Sequence, residues 1–151
     1  MLFLKKLVCL YSLACLCLFG GRLGAQTLFQ NIRWQDGLSA KQIRCLYKDS
    51  SGYLWIGTSA GLDRYDGAVV QRFHDGNGGQ KHFVNAILPF EGQDTLVLGL
   101  RKGILLFDKQ SGKFLRDPRF EALAQKYIVS IRADDQQRIW IGTSDGLYLF
   151  E

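Results

Sequence analysis

Cysteine is scarce in this chain. Of the four cysteines in 151 residues, Cys9, Cys15 and Cys17 fall within the first 17 positions and only Cys45 lies beyond them. A single cysteine can form neither an internal disulfide nor a zinc site. Histidine is scarcer still: His74 and His82 stand eight residues apart in a Gly-rich segment, without partners at metal-ligand spacing. No apolar run reaches the ~20 residues that a membrane-spanning helix needs. The longest, LVCLYSLACLCLF from Leu7 to Phe19, has 13. Nucleotide-binding signatures are missing too, because GNGG at 76–79 is followed by no GK[ST] and opens no helix. No serine–histidine–acid signature or selectable carboxylate pair is present.

The first 25 residues have the layout of a secretory leader. A short basic start (MLFLKK) precedes the apolar run, and GGRLGA ends in small residues, so a cut after Ala25 is expected. A lipoprotein anchored through Cys15 is the alternative, disfavoured by Ser12-Leu13-Ala14 before it. Without Lys5, Lys6 and Arg22 the remainder holds 16 basic residues against 14 acidic ones, a net charge of about +2. That small excess excludes nucleic acid as the expected partner. Export without a disulfide framework suits a bacterial envelope protein. Some 126 residues with 16 aromatics are enough for one small globular region.

What the chain has in quantity is repetition. LWIGTSAGLDRYDG (Leu54 to Gly67) returns as IWIGTSDGLYLFE (Ile139 to Glu151), and LVLGLRKGILLFDKQ (Leu96 to Gln110) aligns between them. Gly57, Gly99 and Gly142 recur at 42 and 43 residues, as do Gly61, Gly103 and Gly146. The preceding segments RCLYKDSSGYLWIG, AILPFEGQDTLVLG and VSIRADDQQRIWIG align without gaps, which sets Cys45 against Ile87 and Ser130.

Each copy reads as strands joined by tight turns. CLYKD, ILPFE and SIRAD end near an acid; polar turns follow; LWIGT, LVLGL and IWIGT are rich in β-branched and aromatic residues. SAG, RKG and SDG are hairpin turns, Asp145-Gly146 being the strongest signal because glycine accepts positive φ. LDRYD, ILLFD and LYLFE complete the units. FHDGNGGQKHF and the segment around DPRFEALAQKY connect them, the latter with a short helical turn capped by Asp117 and opened by Pro118. Units of ~40 to 45 residues with three or four strands are β-propeller blades. Blades stack on both faces, which accounts for Leu54, Trp55 and Ile56 being apolar in succession. The expected fold is therefore all-β: a partial β-propeller of about three blades, near 40–82, 83–125 and 126–151, the last incomplete.

DGLS (36–39), Ile43-Arg44-Cys45-Leu46, Asp49-x-x-Gly52-Tyr-Leu-Trp-Ile-Gly-Thr and Gly61-Leu-Asp-Arg-Tyr-Asp-Gly67 resemble the two-component regulator propeller repeat. The first and third copies match closely; the middle one has Val97 for the tryptophan and Leu100 for the threonine. The resemblance implies the exported, periplasmic sensor region of a hybrid two-component histidine kinase, anchored in the inner membrane. It implies a glycan-fragment ligand, further blades and domains of the same receptor as partners, and homodimerisation of that receptor. The segment itself would be no enzyme and would need no cofactor or metal. TLFQNIRW (27–34) looks like the strand that closes the ring by joining the last blade. An exported propeller lyase or glycosidase and a self-associating scaffold are the alternatives.

No single residue is selected as catalytic, metal-binding or ligand-binding. His74 and His82 read as a solvated loop. Trp55 and Trp140, at the repeat position, are expected between blades rather than stacked on sugar, while Trp34 stands outside the repeat and is freer. Asp49 and Asp134 are expected to satisfy turn amides, and Cys45 to be small and buried rather than nucleophilic.

Overall fold

The computed structural model describes residues 29–75, 81–90, 92 and 94–151. The leader (1–25) and the GNGG turn (76–79) lie outside them. The chain divides into two compact units, Met1–Asn31 and Ile32–Glu151, and the second holds every regular element described below.

Three antiparallel meanders follow one another. The first sheet is β1 (Ile43–Lys48), β2 (Leu54–Thr58), β3 (Leu62–Tyr65) and β4 (Val70–Phe73). The second is β5 (Val84–Phe90), β6 (Thr95–Leu100), β7 (Ile104–Asp108) and β8 (Lys113–Leu115). The third is β9 (Ile128–Ala133), β10 (Ile139–Thr143) and β11 (Gly146–Phe150). The outer strands β4 and β8 arise from connector sequence that the three-strand motif did not mark. β1 abuts β5 and β5 abuts β9, so the first strand of each sheet is its inner edge. This is a propeller segment of three blades.

The apolar runs are explained by the two-sided burial of the middle blade. Leu96, Leu98, Leu100, Leu105 and Phe107 face the first blade, in one cluster with Trp55 and Leu62. Val97, Ile104 and Leu106 face the third, with Ile128, Ile131, Ile139 and Ile141. Successive strand residues point to opposite faces, so a strand covered on both must be apolar throughout.

Each inner strand bulges at its start, leaving Arg44, Asn85 and Val129 out of the pairing. Two of these bulge residues tie the blades together. Arg44 Nε donates to Asn85 Oδ1 at 3.1 Å, and Asn85 Nδ2 donates to the Ile128 carbonyl at 2.8 Å. Strand pairing corrects one alignment: Gly57, Gly99 and Gly142 pair with Cys45, Ala86 and Ser130, so the equivalent of Cys45 is Ala86, not Ile87. The β5–β6 hairpin is one residue longer from Ala86 to Gly99 than from Cys45 to Gly57 or from Ser130 to Gly142, and a gap-free alignment cannot show that.

In the segment 27–34, residues 29–33 have no regular structure and Trp34 opens a 3-10 helix (Trp34–Asp36). Beyond it, Leu38 is buried, and Ser39 donates its N–H and its hydroxyl to the Asp63 carboxylate on β3. The helical turn after the second blade is a 3-10 helix (Pro118–Leu123) with Pro118 at its start and the Asp117 carboxylate accepting from Arg119 N.

Candidate functional site

The repeated residues are mostly occupied with holding blades together. Asp49 Oδ1 accepts the amides of Ser51 and Tyr53, both at 3.0 Å, and its Oδ2 accepts the Trp55 indole N–H at 2.8 Å. Asp134 repeats this with Gln136, Arg138 and Trp140. The turn-amide role expected of both acids is thus extended: each also orients a tryptophan. Burial pushes the Asp49 carboxyl up, but the Trp55 and Tyr53 donors and the Lys109 ammonium leave it lower than an ordinary aspartate. The Trp140 N–H, aided by Arg138, holds Asp134 at about 2.

Trp55 is 0% exposed, 5.5 Å from the Phe107 ring of the second blade. Trp140 is half-buried on the third-blade face turned away from the second, with the Arg138 guanidinium 5.8 Å over its ring. Packing between blades is seen for Trp55; the face that carries Trp140 meets no other described blade. Trp34 is exposed, with Lys41 Nζ 5.8 Å above its ring. Cys45 is half-buried and burial pushes its thiol up to about 11, which removes it as a nucleophile near neutrality.

His82 overturns the solvated-loop reading. His74 is exposed, but His82 is only 9% exposed, its ring centroid 5.0 Å from that of Phe114 on β8. The connector after β4 turns inward here because the β6–β7 hairpin holds it: Arg101 N–H donates to the Phe83 carbonyl. Ser59 N–H to Gln42 and Ser144 N–H to Tyr127 are the same bond in the other blades.

Two cavities meet at this histidine. A cleft of about 440 Å³ is walled by Asp75, His82, Lys102, Phe114, Arg116 and Glu121, among others. A recess of about 400 Å³ lies on the other side, between Ser59, Lys81, His82, Phe83, Arg101 and Lys102. His82 Nε2 lies 3.4 Å from Asp75 Oδ2 without forming a hydrogen bond, and is the one buried side-chain polar atom among the described residues left unpaired. Asp117, also on the cleft, is engaged by Arg119. The arrangement offers an aromatic wall with donors and acceptors around it. Among the described residues no group of three potential metal ligands converges. Sequence reasoning missed Lys81, Arg101, Lys102, Arg116 and Phe114 as candidates. One signal was available: Arg101-Lys102 replaces Ser59-Ala60 and Ser144-Asp145 at an otherwise uncharged or acidic hairpin tip.

The family model for the two component regulator propeller matches residues 37–60 and 122–145, the approach to and first hairpin of the first and third blades. No curated protein matches. Among solved structures, the extracellular domain of BT4673 from B. thetaiotaomicron, described in one structure as a candidate one-component and in another as a candidate hybrid two-component system, aligns at a TM-score of 0.65 and 21% identity. That of BT3049 from the same organism, a candidate hybrid two-component system, aligns at 0.65 and 18%. Each alignment covers 81% of this chain but only 16% or 18% of the other, so the chain spans about a sixth of the structures it matches, and the likeness is one of fold. Among the described residues no helix is long and apolar enough to cross a membrane. Parts of the first and third blades match that model and all three blades share the architecture of these domains: the chain is a β-propeller segment carrying two matches to the two component regulator propeller.

Proposed function

We propose that the chain serves in the periplasmic sensing region of a hybrid two-component histidine kinase and binds a glycan fragment without transforming it. The observation that carries this is the cleft at His82. Phe114 offers a flat apolar wall, and His82, Asp75, Arg116 and Glu121 offer donors and acceptors around it, the mixture that a sugar ring with its hydroxyls requires. Further blades and domains of the same receptor would pack on the chain, and the receptor would act as a homodimer. The leader at 1–25 would direct it through the inner membrane.

The reading is tested by titrating the chain with a panel of neutral and acidic oligosaccharides while following its thermal transition. A saturable rise in Tm with at least one of them, lost in Phe114→Ala, is expected. No response across the panel would overturn glycan sensing at this cleft.

A further inference from the structure

The ligand of this cleft has a second requirement, which the recess beside it sets. Lys81, Arg101 and Lys102 line the recess, Lys102 and Arg116 the cleft, and none of the four forms a salt bridge with a described residue. Unpaired cations are ordinary on an open surface. Four of them lining two cavities that share a buried imidazole are not, because its Nε2, 3.4 Å from Asp75 Oδ2 on the cleft, makes no hydrogen bond, and a buried polar atom left without one costs free energy that a ligand can return.

The acids are placed unevenly. Asp75, Asp117 and Glu121 all line the larger cleft, and Asp117 is held by Arg119. The recess, between Ser59, Lys81, Phe83, Leu100, Arg101 and Lys102 with His82 at its back, has no carboxylate among its described lining residues. The two cavities share His82, Leu100 and Lys102, so a single ligand can occupy both. The Arg101 guanidinium presents a planar fork suited to a two-oxygen anion, while the lysines supply point charge.

We propose that the recess binds an oxyanion group, a carboxylate or a sulfate ester, carried by the ligand whose uncharged part lies in the cleft. This rests on the cleft being the ligand site but does not require that ligand to be a glycan. Position supports it: the Arg101 amide is fixed to Phe83, next to His82, so the hairpin presents its two cations at the recess by backbone geometry and not by side-chain chance.

The test uses the full chain labelled at histidine, with the His82 imidazole resonances followed by NMR and exposed His74 as internal reference. The probes are galacturonate, sodium sulfate, galactose and sodium chloride at matched ionic strength. Galacturonate and sulfate are expected to shift His82 saturably, chloride not at all. In the Arg101→Gln/Lys102→Gln variant, whose changed side chains are exposed, half-saturation should weaken about tenfold or more, the weight of one charge-assisted hydrogen bond. Galacturonate binding more tightly than sulfate identifies an acidic sugar as the source of the anion; the reverse order identifies a sulfate ester. An unmoved His82, an equal shift with chloride, or unchanged binding in the variant overturns the proposal. Galactose binding as well as galacturonate in both proteins would overturn the anion site yet leave glycan recognition standing. Sulfate binding without any sugar response would do the opposite.

Discussion

At Gly57 an added Cβ would collide with Cys45 Sγ and come within 2.8 Å of the Val84 carbonyl on the next blade's inner strand. The corresponding Cβ at Gly142 would meet only Ser130 Oγ, at 2.6 Å, which can rotate away, and nothing else nearer than 3.9 Å. The same motif position therefore tolerates change differently. Gly57→Ala is expected to destabilise by about 3 kcal/mol, since backbone cannot yield, and Gly142→Ala by under about 1 kcal/mol. Urea unfolding of both variants checks this, and equal costs would refute the close-approach account. Cys45 permits a second prediction at this scale. With its thiol raised to about 11, iodoacetamide at pH 7.5 should leave Cys45 largely unmodified in the folded chain and label it fully in urea. Peptide mapping reads the difference; prompt labelling of the native protein would contradict it.

The aspartate-anchored hairpin is the repeated element, and its third-blade copy carries a pH dependence. Asp134 at about 2 lies well below an ordinary aspartate, so the folded state favours its ionised form. The stability it contributes is present above pH ~4, the unfolded value, and is lost as pH falls through about 2. Asp134→Asn should therefore lower Tm at pH 6 and make little difference at pH 2. A constant gap at both pH values would show that the carboxylate charge is not what matters. The two tryptophans separate the element's local role from its packing role. Both accept orientation from their aspartates, yet only Trp55 lies between blades. Trp55→Ala is expected to cost about 3–5 kcal/mol and Trp140→Ala clearly less, read from chemical denaturation.

Across the molecule, blade stacking leaves one face of the third blade uncovered by described residues. Trp140, Leu147 and Leu149 occupy the positions of Trp55, Leu62 and Arg64, with Leu147 67% and Leu149 41% exposed. Contiguous exposed apolar surface of this kind drives association. The isolated chain should form concentration-dependent oligomers in light scattering coupled to size exclusion, and Leu147→Lys/Leu149→Lys should shift it toward monomer. A monomer at all concentrations with one cooperative thermal transition would contradict this.

Spacing alone determined the all-β class, the three blades' repeated core, the inward place of Trp55 and the turn-amide roles of Asp49 and Asp134. A repeat writes the same packing at the same interval, so its glycines, tryptophan and turn acids are legible before any contact is seen. The register of β5 against β6 was not legible, because one extra residue in that hairpin moves the pairing without changing the motif. Neither was the fate of Trp140, which depends on what lies across its face rather than on its own repeat. The cleft was hidden most completely: His82, Arg101 and Phe114 are far apart in sequence and belong to a connector, a hairpin tip and an outer strand. Repeats encode what every blade shares. The candidate site consists of what one blade has differently, and only the folding of that blade's connector back over its own hairpin brought those differences together.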